Sequence, residues 1–318
     1  MMKSCRHNNT GCKEKKYSKI SRNELSCDDL ITDMQLKTVK NKNRFYRHLI
    51  PSKAQDPMIH DRIHYRLSSI IVRWVLVMLA LTATQIWAFD SSHALWNKTL
   101  KRHVKDGLVD YKELKRNSID LEIYLKLISQ SPRSEFDLWS SDEQLAFLIN
   151  LYNAATIQLI VDAYPVKSIK DIGLLPHAAW RRKIIILWEE KISLNHLEHD
   201  IILPRARHLP TVHFALVCAA KGCPQLRSEA YTGSLLKTQL EHQGHIFLGN
   251  TSKNRLSKPE QILYLSPIFE WYAEDFERVS GSVKNYLTKH AAHIFQTNLN
   301  SYKIHYTRYD WSLNISEE

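Results

Sequence analysis

The stretch that decides the fold reads His213-Phe214-Ala215-Leu216-Val217-Cys218-Ala219-Ala220-Lys221-Gly222-Cys223-Pro224-Gln225-Leu226. Its apolar run is too short for a helix and predicts a buried strand over residues 212–218. Gly222 and Pro224 then predict a turn directly after Cys218. A strand that carries a histidine at one end and two thiols at the other is typical of a functional site, but also of a disulfide-stapled corner.

Cys218 and Cys223 therefore admit two interpretations. Under oxidising conditions an even number of cysteines is usually paired, and a turn between these two can bring their Cα atoms within the ~4.4–6.8 Å that a disulfide needs. The first interpretation is a structural disulfide. The second makes Cys218 a thiolate nucleophile, activated by a nearby imidazole.

The nucleophile interpretation needs a base. His213 lies five residues before Cys218, on the opposite face of a straight strand, so the pattern favours His199 with Glu198 as its orienting acid. A Cys-His-acid set suits acyl transfer, as in papain-like or transglutaminase-like enzymes. The chain carries no local signature of those enzymes, so the catalytic candidates Cys218, His199, Glu198 and His213 rest on residue type alone.

A long helix is predicted from the capping box Ser141-Asp142-Glu143-Gln144 to about Ala163, because Pro165 prevents its continuation. It is apolar on almost every side, which is typical of a central buried helix. Asn150 and Asn153 share one of its faces. Since buried amides need hydrogen-bond partners, these asparagines either pin neighbouring loops or line a binding site.

Few strands are predicted beside the helices. Residues 183–188 and 191–194 predict two strands joined at Glu189-Glu190, and residues 304–306 predict a late one. Helices precede, separate and follow them, which favours an α+β fold over a regular βαβ alternation. We expect one domain with a central buried helix and a small mixed or antiparallel sheet.

Two further patterns, an aromatic stripe and several histidine pairs, are interpreted as structural and not as functional sites. Trp271, Tyr272, Asp275 and Phe276 form an aromatic stripe typical of a helix packed on the core, and Trp311 is expected to fill the core. Pairs of histidines three residues apart arise easily in a chain with 16 histidines, so we predict no metal site. The chain also lacks a glycine-rich phosphate loop, and we predict no cofactor.

The chain resembles a known family in six segments that occur in the same order. The first is His213-Phe214-Ala215-Leu216-Val217-Cys218 followed by Cys223-Pro224-Gln225-Leu226; the others are Phe147–Asn153, Tyr164–Ile169, Leu197–His199, Phe269–Phe276 and Tyr309–Asn314. They are similar to the domain of unknown function 547 family, over roughly Trp96 to Asn314. The resemblance implies no assigned activity. A serine is frequent in the family where Ala220 stands here, so no chemistry in this chain can depend on that hydroxyl.

Charge is concentrated before the domain. The 318 residues carry a net charge of +11, of which residues 1–60 contribute +7, with 13 Lys/Arg against 6 Asp/Glu. The high charge is therefore no argument for nucleic-acid binding by the rest of the chain. Residues 1–57 are polar and basic, which predicts a disordered extension or a misassigned translation start.

Residues 58–88 resemble an export signal. Trp74 to Phe89 contain no charge, arginines precede them, and Ala88 offers a small residue for cleavage. The alternative is an uncleaved anchor over residues 67–89, which approaches the ~20 apolar residues of a spanning helix but includes Arg73. Either way we expect residues 89–318 to be a periplasmic or secreted domain.

Two classes of function remain. One is a disulfide-stapled binding or scaffold module of the cell envelope, with an unidentified partner or small substrate. The other is a thiol-dependent hydrolase or acyl transferase that uses Cys218 with a histidine.

We predict that the protein isolated from its native cell fraction begins at Phe89 and lies outside the cytoplasmic membrane, because the apolar run before it ends in a cleavable sequence. N-terminal mass analysis of the fractionated protein tests this. A cytosolic chain that retains residues 1–53 would contradict export and, with it, the oxidising surroundings assumed for the two cysteines.

Overall fold

A computed structural model of the chain describes residues 89–316. The predictions for residues 1–57 and 58–88 lie outside the described residues.

The described residues form an α+β fold, as predicted. The helices are α1 (Ala94–His103), α2 (Tyr111–Arg116), α3 (Ile119–Gln130), α4 (Arg133–Phe136), α5 (Ser141–Ala163), α6 (Ala178–Arg181), α7 (Leu194–His196), α8 (Leu203–Arg205), α9 (Leu236–Gly249), α10 (Ile268–Trp271), α11 (Ala273–Ser280), α12 (Val283–His290) and α13 (Ala292–Phe295). A π-helical turn, Leu197–Ile202, joins α7 to α8. Short 3-10 turns occupy Ile169–Asp171, Pro210–Phe214, Gly233–Leu235 and Leu299–Ser301. The strands are β1 (Val104–Lys105), β2 (Leu108–Val109), β3 (Lys183–Leu187), β4 (Glu190–Ser193), β5 (Arg255–Ser257), β6 (Ile262–Leu265) and β7 (Lys303–Tyr306).

The sheets of the described residues are small and peripheral. β1 pairs with β2, and β3 with β4, as antiparallel ribbons. β6 lies between β5, to which it is antiparallel, and β7, to which it is parallel. The predicted hairpin at residues 183–194 is confirmed, and the three-stranded sheet is mixed.

Helix α5 lies at the centre of the fold. Its capping box uses Ser140 and Glu143, one residue before the predicted pair, with the Ser140 hydroxyl accepting from the Glu143 amide and the Glu143 carboxylate accepting from the Ser140 amide. The helix ends before Pro165, as predicted. It is long and apolar enough to cross a membrane, yet 89% of its most apolar window is buried inside the protein. It is a core helix.

The predicted strand over residues 212–218 is wrong. Pro210 begins a 3-10 turn that runs to Phe214, and residues 215–218 continue without strand partners. The segment is buried, as its apolarity indicated, but its polar backbone is satisfied by a side chain rather than by a sheet. The apolar run therefore predicted burial correctly and secondary structure incorrectly.

That side chain is Asn153 of α5. Its Nδ2 donates to the Ala215 carbonyl at 2.9 Å, and its Oδ1 accepts from the Val217 amide at 2.9 Å. Asn150 makes the same paired contact with Tyr231, donating to its carbonyl at 2.7 Å and accepting from its amide at 3.0 Å. Both asparagines are fully buried, and both fix neighbouring backbone to the central helix.

The C-terminal segment holds the turn that follows. The Lys221 amide donates to the Ser312 carbonyl at 2.8 Å, and the Gly222 amide to the Asp310 carbonyl at 2.7 Å. A Cβ on Gly222 would come within 2.9 Å of both the Asp310 amide nitrogen and its carbonyl oxygen, so this approach requires glycine. The turn that carries Cys218 and Cys223 is thus fixed from one side by α5 and from the other by residues 309–314.

Replacing Asn153 with alanine should lower the free energy of unfolding by ~1–3 kcal/mol, because the buried Ala215 carbonyl and Val217 amide would lose their partner. Chemical denaturation measures this. Asn285→Ala, at an exposed position of α12, is the control and should change stability little. An unchanged denaturation midpoint for Asn153→Ala would show that the amide pairing contributes nothing to the fold.

Candidate functional site

A cleft of about 400 Å³ opens beside the turn fixed by α5 and the C-terminal segment. All the predicted catalytic candidates line it, together with the second cysteine: Glu198, His199, His213, Cys218 and Cys223. Asn150 and Asn153 are not part of its lining; Asn153 lies one layer behind it and holds the backbone on either side of Leu216, which lines the cleft. The cleft therefore collects residues from sequence positions far apart, which is typical of a binding or catalytic site.

Glu198 is placed by an unusual local winding. It lies in the π-helical turn between α7 and α8. This geometry is rare in proteins overall, and where it occurs it is frequently part of a functional site. The side chain is only 7% exposed and accepts a hydrogen bond of 2.6 Å from the Tyr272 hydroxyl. Burial and the neighbouring Glu198 carboxylate raise the pKa of Tyr152, on α5, well above its usual range. The next residue, His199, is exposed at the cleft.

His213 lies in a second polar group. Its Nε2 is 2.8 Å from Oδ2 of Asp275, and Arg278 donates to the other carboxylate oxygen at 2.5 Å. The hydrogen bond with His213 and, after it, the one from Arg278 outweigh burial and lower the pKa of Asp275. The carboxylate thus stays charged and orients the imidazole. The prediction that His213 points away from the cysteines relied on a straight strand, which the structure does not have.

The two polar groups touch through Tyr272. Its ring stacks on the imidazole of His213, with centroids 3.9 Å apart, while its hydroxyl binds Glu198. Burial and the neighbouring Glu198 raise the pKa of Tyr272 well above its usual range, so the phenol remains a donor. Acid, phenol, imidazole and carboxylate therefore form one continuous wall of the cleft.

Cys218 and Cys223 are joined as a disulfide in the structure, with Cα atoms 6.1 Å apart. Ala219, in the left-handed region at φ 59°, makes the sharp bend between them. The Tyr309 hydroxyl lies 3.1 Å from the Cys223 sulfur and 3.3 Å from the Cys218 sulfur. Burial raises the pKa of Tyr309, so its hydroxyl is a donor that covers both sulfurs. The Cys223 carbonyl accepts a hydrogen bond from the Lys253 ammonium.

Aromatic rings form another part of the cleft lining, the aromatic wall. The Tyr309 ring lies 4.6 Å from Trp311 and 4.8 Å from Trp271, and Trp180 meets Trp311 edge to face at 5.9 Å. Trp271 is 49% exposed. Of the predicted core stripe, only Phe276 is fully buried. The assignment of Trp271 to the core is therefore wrong, whereas the half-buried Trp311 packs against the core; both line the cleft.

Histidine pairs elsewhere do not form a metal centre within residues 89–316. Among these residues, no group of three or more histidine, cysteine, aspartate or glutamate side chains is placed to hold a metal ion. Two such pairs are His242 with His245 and His290 with His293. One member of each meets the other in space, since ring nitrogens of His245 on α9 and His293 on α13 lie 2.8 Å apart. That distance is a hydrogen bond between the rings.

Sequence reasoning missed the tyrosines and the role of Asp275. Tyr152, Tyr272 and Tyr309 come from three separate regions of the chain, and none has a spacing that marks it. A usable signal was the presence of Asp275 in the aromatic stripe, since a helix packed wholly on the core would carry no acid on its buried stripe.

Comparison with known proteins gives one match. Residues 136–248 match the model of a family described as a protein of unknown function, DUF547, which confirms the resemblance found in the sequence. The matched range contains α5, Glu198, His213 and both cysteines, whereas Tyr272, Asp275 and Tyr309 follow it. No curated protein and no solved structure was found to match the chain.

Proposed function

We propose that residues 89–318 form an exported, disulfide-stapled binding module that takes a saccharide unit of the cell envelope in the cleft. The observation that carries this proposal is the pairing of the two walls. One wall offers aromatic faces, and the other offers fixed hydrogen-bonding groups around Glu198 and His213.

The aromatic wall suits a sugar ring. A pyranose has a face of C–H groups that packs on an aromatic ring, and hydroxyl groups at its edge that need donors and acceptors. Trp271, Tyr309 and Trp311 supply such faces. The cleft volume of about 400 Å³ falls in the ~300–1,000 Å³ range of small-molecule sites.

The polar wall, formed by Glu198, Tyr272, His213 and Asp275, supplies hydrogen-bonding partners for the hydroxyl groups at the edge of the sugar. Glu198 accepts from Tyr272 through one oxygen and is held almost fully buried, so its orientation is fixed before a ligand arrives. His199, Asn195 and Arg181 also line the cleft and are exposed. Prearranged polar groups of this kind give specificity at small entropic cost.

The disulfide supports binding rather than thiol chemistry. Cys223 is 2% exposed, and Cys218 is bonded to it, so neither sulfur is a free thiolate. A disulfide is expected in an exported protein, and the signal-like sequence before Phe89 is the support for export. The short bridge stabilises the turn that carries both cysteines.

A thiol-dependent hydrolase or acyl transferase is the second candidate. The observation that favours it is that Cys218 shares one cleft with His199, Glu198 and His213. Chemistry at Cys218 would require the bridge to be reduced first. The two proposals therefore differ in the resting state of one sulfur.

Thiol labelling separates the proposals. For the binding module, the native, unreduced protein should take up no alkylating reagent at Cys218 or Cys223, and both should label after unfolding and reduction. Cys218→Ala and Cys223→Ala should destabilise to a similar extent, because either change removes the same bond. Peptide mapping by mass spectrometry gives the positions.

Rapid labelling of Cys218 alone in the native protein would contradict the stapled module. If His199→Ala then slowed that labelling without changing the fold, the imidazole would be the activating partner and the hydrolase would become the leading proposal.

Calorimetric titration with oligosaccharides of N-acetylglucosamine tests the ligand class. We expect saturable binding that Trp271→Ala abolishes, because this exposed ring lies on the aromatic wall. Trp188→Phe, outside the cleft, is the control and should bind as the parent protein does. Absence of binding to the parent protein, or equal binding by Trp271→Ala, would contradict the proposed use of the cleft.

A further inference from the structure

Two consecutive leucines stand clear of the protein beside the cleft. The leucine loop, residues 173–177, is exposed at every position, with Leu174 103% and Leu175 71% exposed. Most exposed apolar side chains on a protein are isolated and need no explanation. Two adjacent leucines at the tip of one loop are a different case, because they form a single apolar projection.

The loop is built to hold them outward. Its two ends are anchored in the core by Ile172 and Ala179, which are 5% and 1% exposed. Gly173 adopts φ 95°, and a Cβ at that position would lie 2.6 Å from the Cβ of Ala178, so the base of the loop is closed tightly. The Ala178 amide donates to the Leu175 carbonyl at 3.0 Å. The two leucines are therefore held in solvent by a closed, hydrogen-bonded turn.

Cations flank the apolar tip on both sides in the sequence. Residues 167–183 contain five Lys/Arg and one Asp, whereas residues 89–318 as a whole carry a net charge of only +2. Lys170, Arg181, Arg182 and Lys183 are all exposed. The segment that carries the leucines therefore has a net charge of +4.

We propose that the leucine loop inserts into an anionic lipid surface, with the cations around it bound to the headgroups. Apolar side chains that enter the acyl region, together with flanking Lys/Arg at the level of the headgroups, are the two signals that stable peripheral binding needs. A second copy of the chain fits less well, because a symmetric contact would place two positive belts against each other. A protein partner would need a larger apolar core than two leucines provide.

Membrane docking would set the orientation of the cleft. His177, Trp180 and Arg181 line the cleft and directly follow the leucines in the chain. The mouth of the cleft would therefore face the membrane surface, within reach of a ligand attached to lipid. This inference does not depend on the saccharide proposal, since lipid binding needs no occupant in the cleft.

Quenching by brominated lipids tests the proposal. Leu174→Trp places a fluorophore at the tip, and Leu138→Trp places one at a leucine that is 86% exposed elsewhere on the domain. Each variant is mixed with phosphatidylcholine–phosphatidylglycerol vesicles with or without brominated acyl chains, and the emission of the parent protein is subtracted. The subtraction removes the native tryptophans and any contribution of the N-terminal segment.

We expect bromine-dependent loss of emission at position 174 and none at position 138. The loss should fall when phosphatidylglycerol is omitted and when Arg182→Glu is added, because the cations would lose their anionic partners. Leu175→Trp gives a second reading of the same loop, and circular dichroism verifies that each variant is folded.

Equal quenching at positions 174 and 138 would overturn the proposal. So would quenching that is independent of both phosphatidylglycerol and Arg182. If quenching were absent and Leu174→Ser converted a dimer to a monomer in sedimentation, the loop would be a contact between copies instead. None of these outcomes involves the cleft ligand, so failure here would leave the oligosaccharide titration to be judged separately.

Discussion

The paired hydrogen bonds between the Asn153 amide and the backbone of residues 215–217 are the constraint on which the cleft depends. An apolar segment buried without a strand partner leaves amides and carbonyls that water cannot reach, and each unsatisfied group is costly. A single asparagine on the central helix satisfies one of each. Helix α5 is itself enclosed by the core. The segment leading to Cys218 is therefore held in place by its hydrogen bonds to a buried helix.

The rest of the site follows from that attachment. The same helix places Tyr152, the residue directly before Asn153, near Glu198, so one rigid element positions both the acid and the turn. The C-terminal segment then closes the turn from outside through Gly222 and brings Tyr309 onto both sulfurs. Trp180 and Arg181, which follow the leucine loop in the chain, line the cleft. The proposed lipid contact and the proposed ligand site are therefore neighbours.

Local patterns predicted the parts of the fold that depend on local forces. The apolarity of residues 145–160 predicted the central helix, and Pro165 predicted its end; the hairpin at residues 183–194 followed from two short apolar runs separated by acids. The strand prediction for residues 212–218 failed because a short apolar run indicates burial without identifying what satisfies its backbone. In this chain the partner is Asn153, about sixty residues earlier, and no local signal connects the two.

The sequence predicted which residues lie in the site, but not the hydrogen bonds between them. Cys218, His199, Glu198 and His213 were identified by residue type, and the structure gathers them in one cleft. Their partners were not identifiable, because the links from Glu198 to Tyr272 and from His213 to Asp275 join segments more than sixty residues apart. Trp271 and Trp311 were assigned to the core because half-buried and exposed tryptophans have the same sequence pattern as buried ones.

Native-state amide hydrogen exchange tests most directly whether the floor of the cleft belongs to the core helix. Loop amides normally exchange through small local openings, whereas amides fixed to the core exchange only when the whole domain unfolds. If the Asn153 pairing fixes this segment, the Val217 amide should exchange as slowly as the amides in the middle of α5 and respond to denaturant with the same slope. Fast exchange at Val217, independent of denaturant, would contradict the account by showing that the segment opens while the helix stays folded.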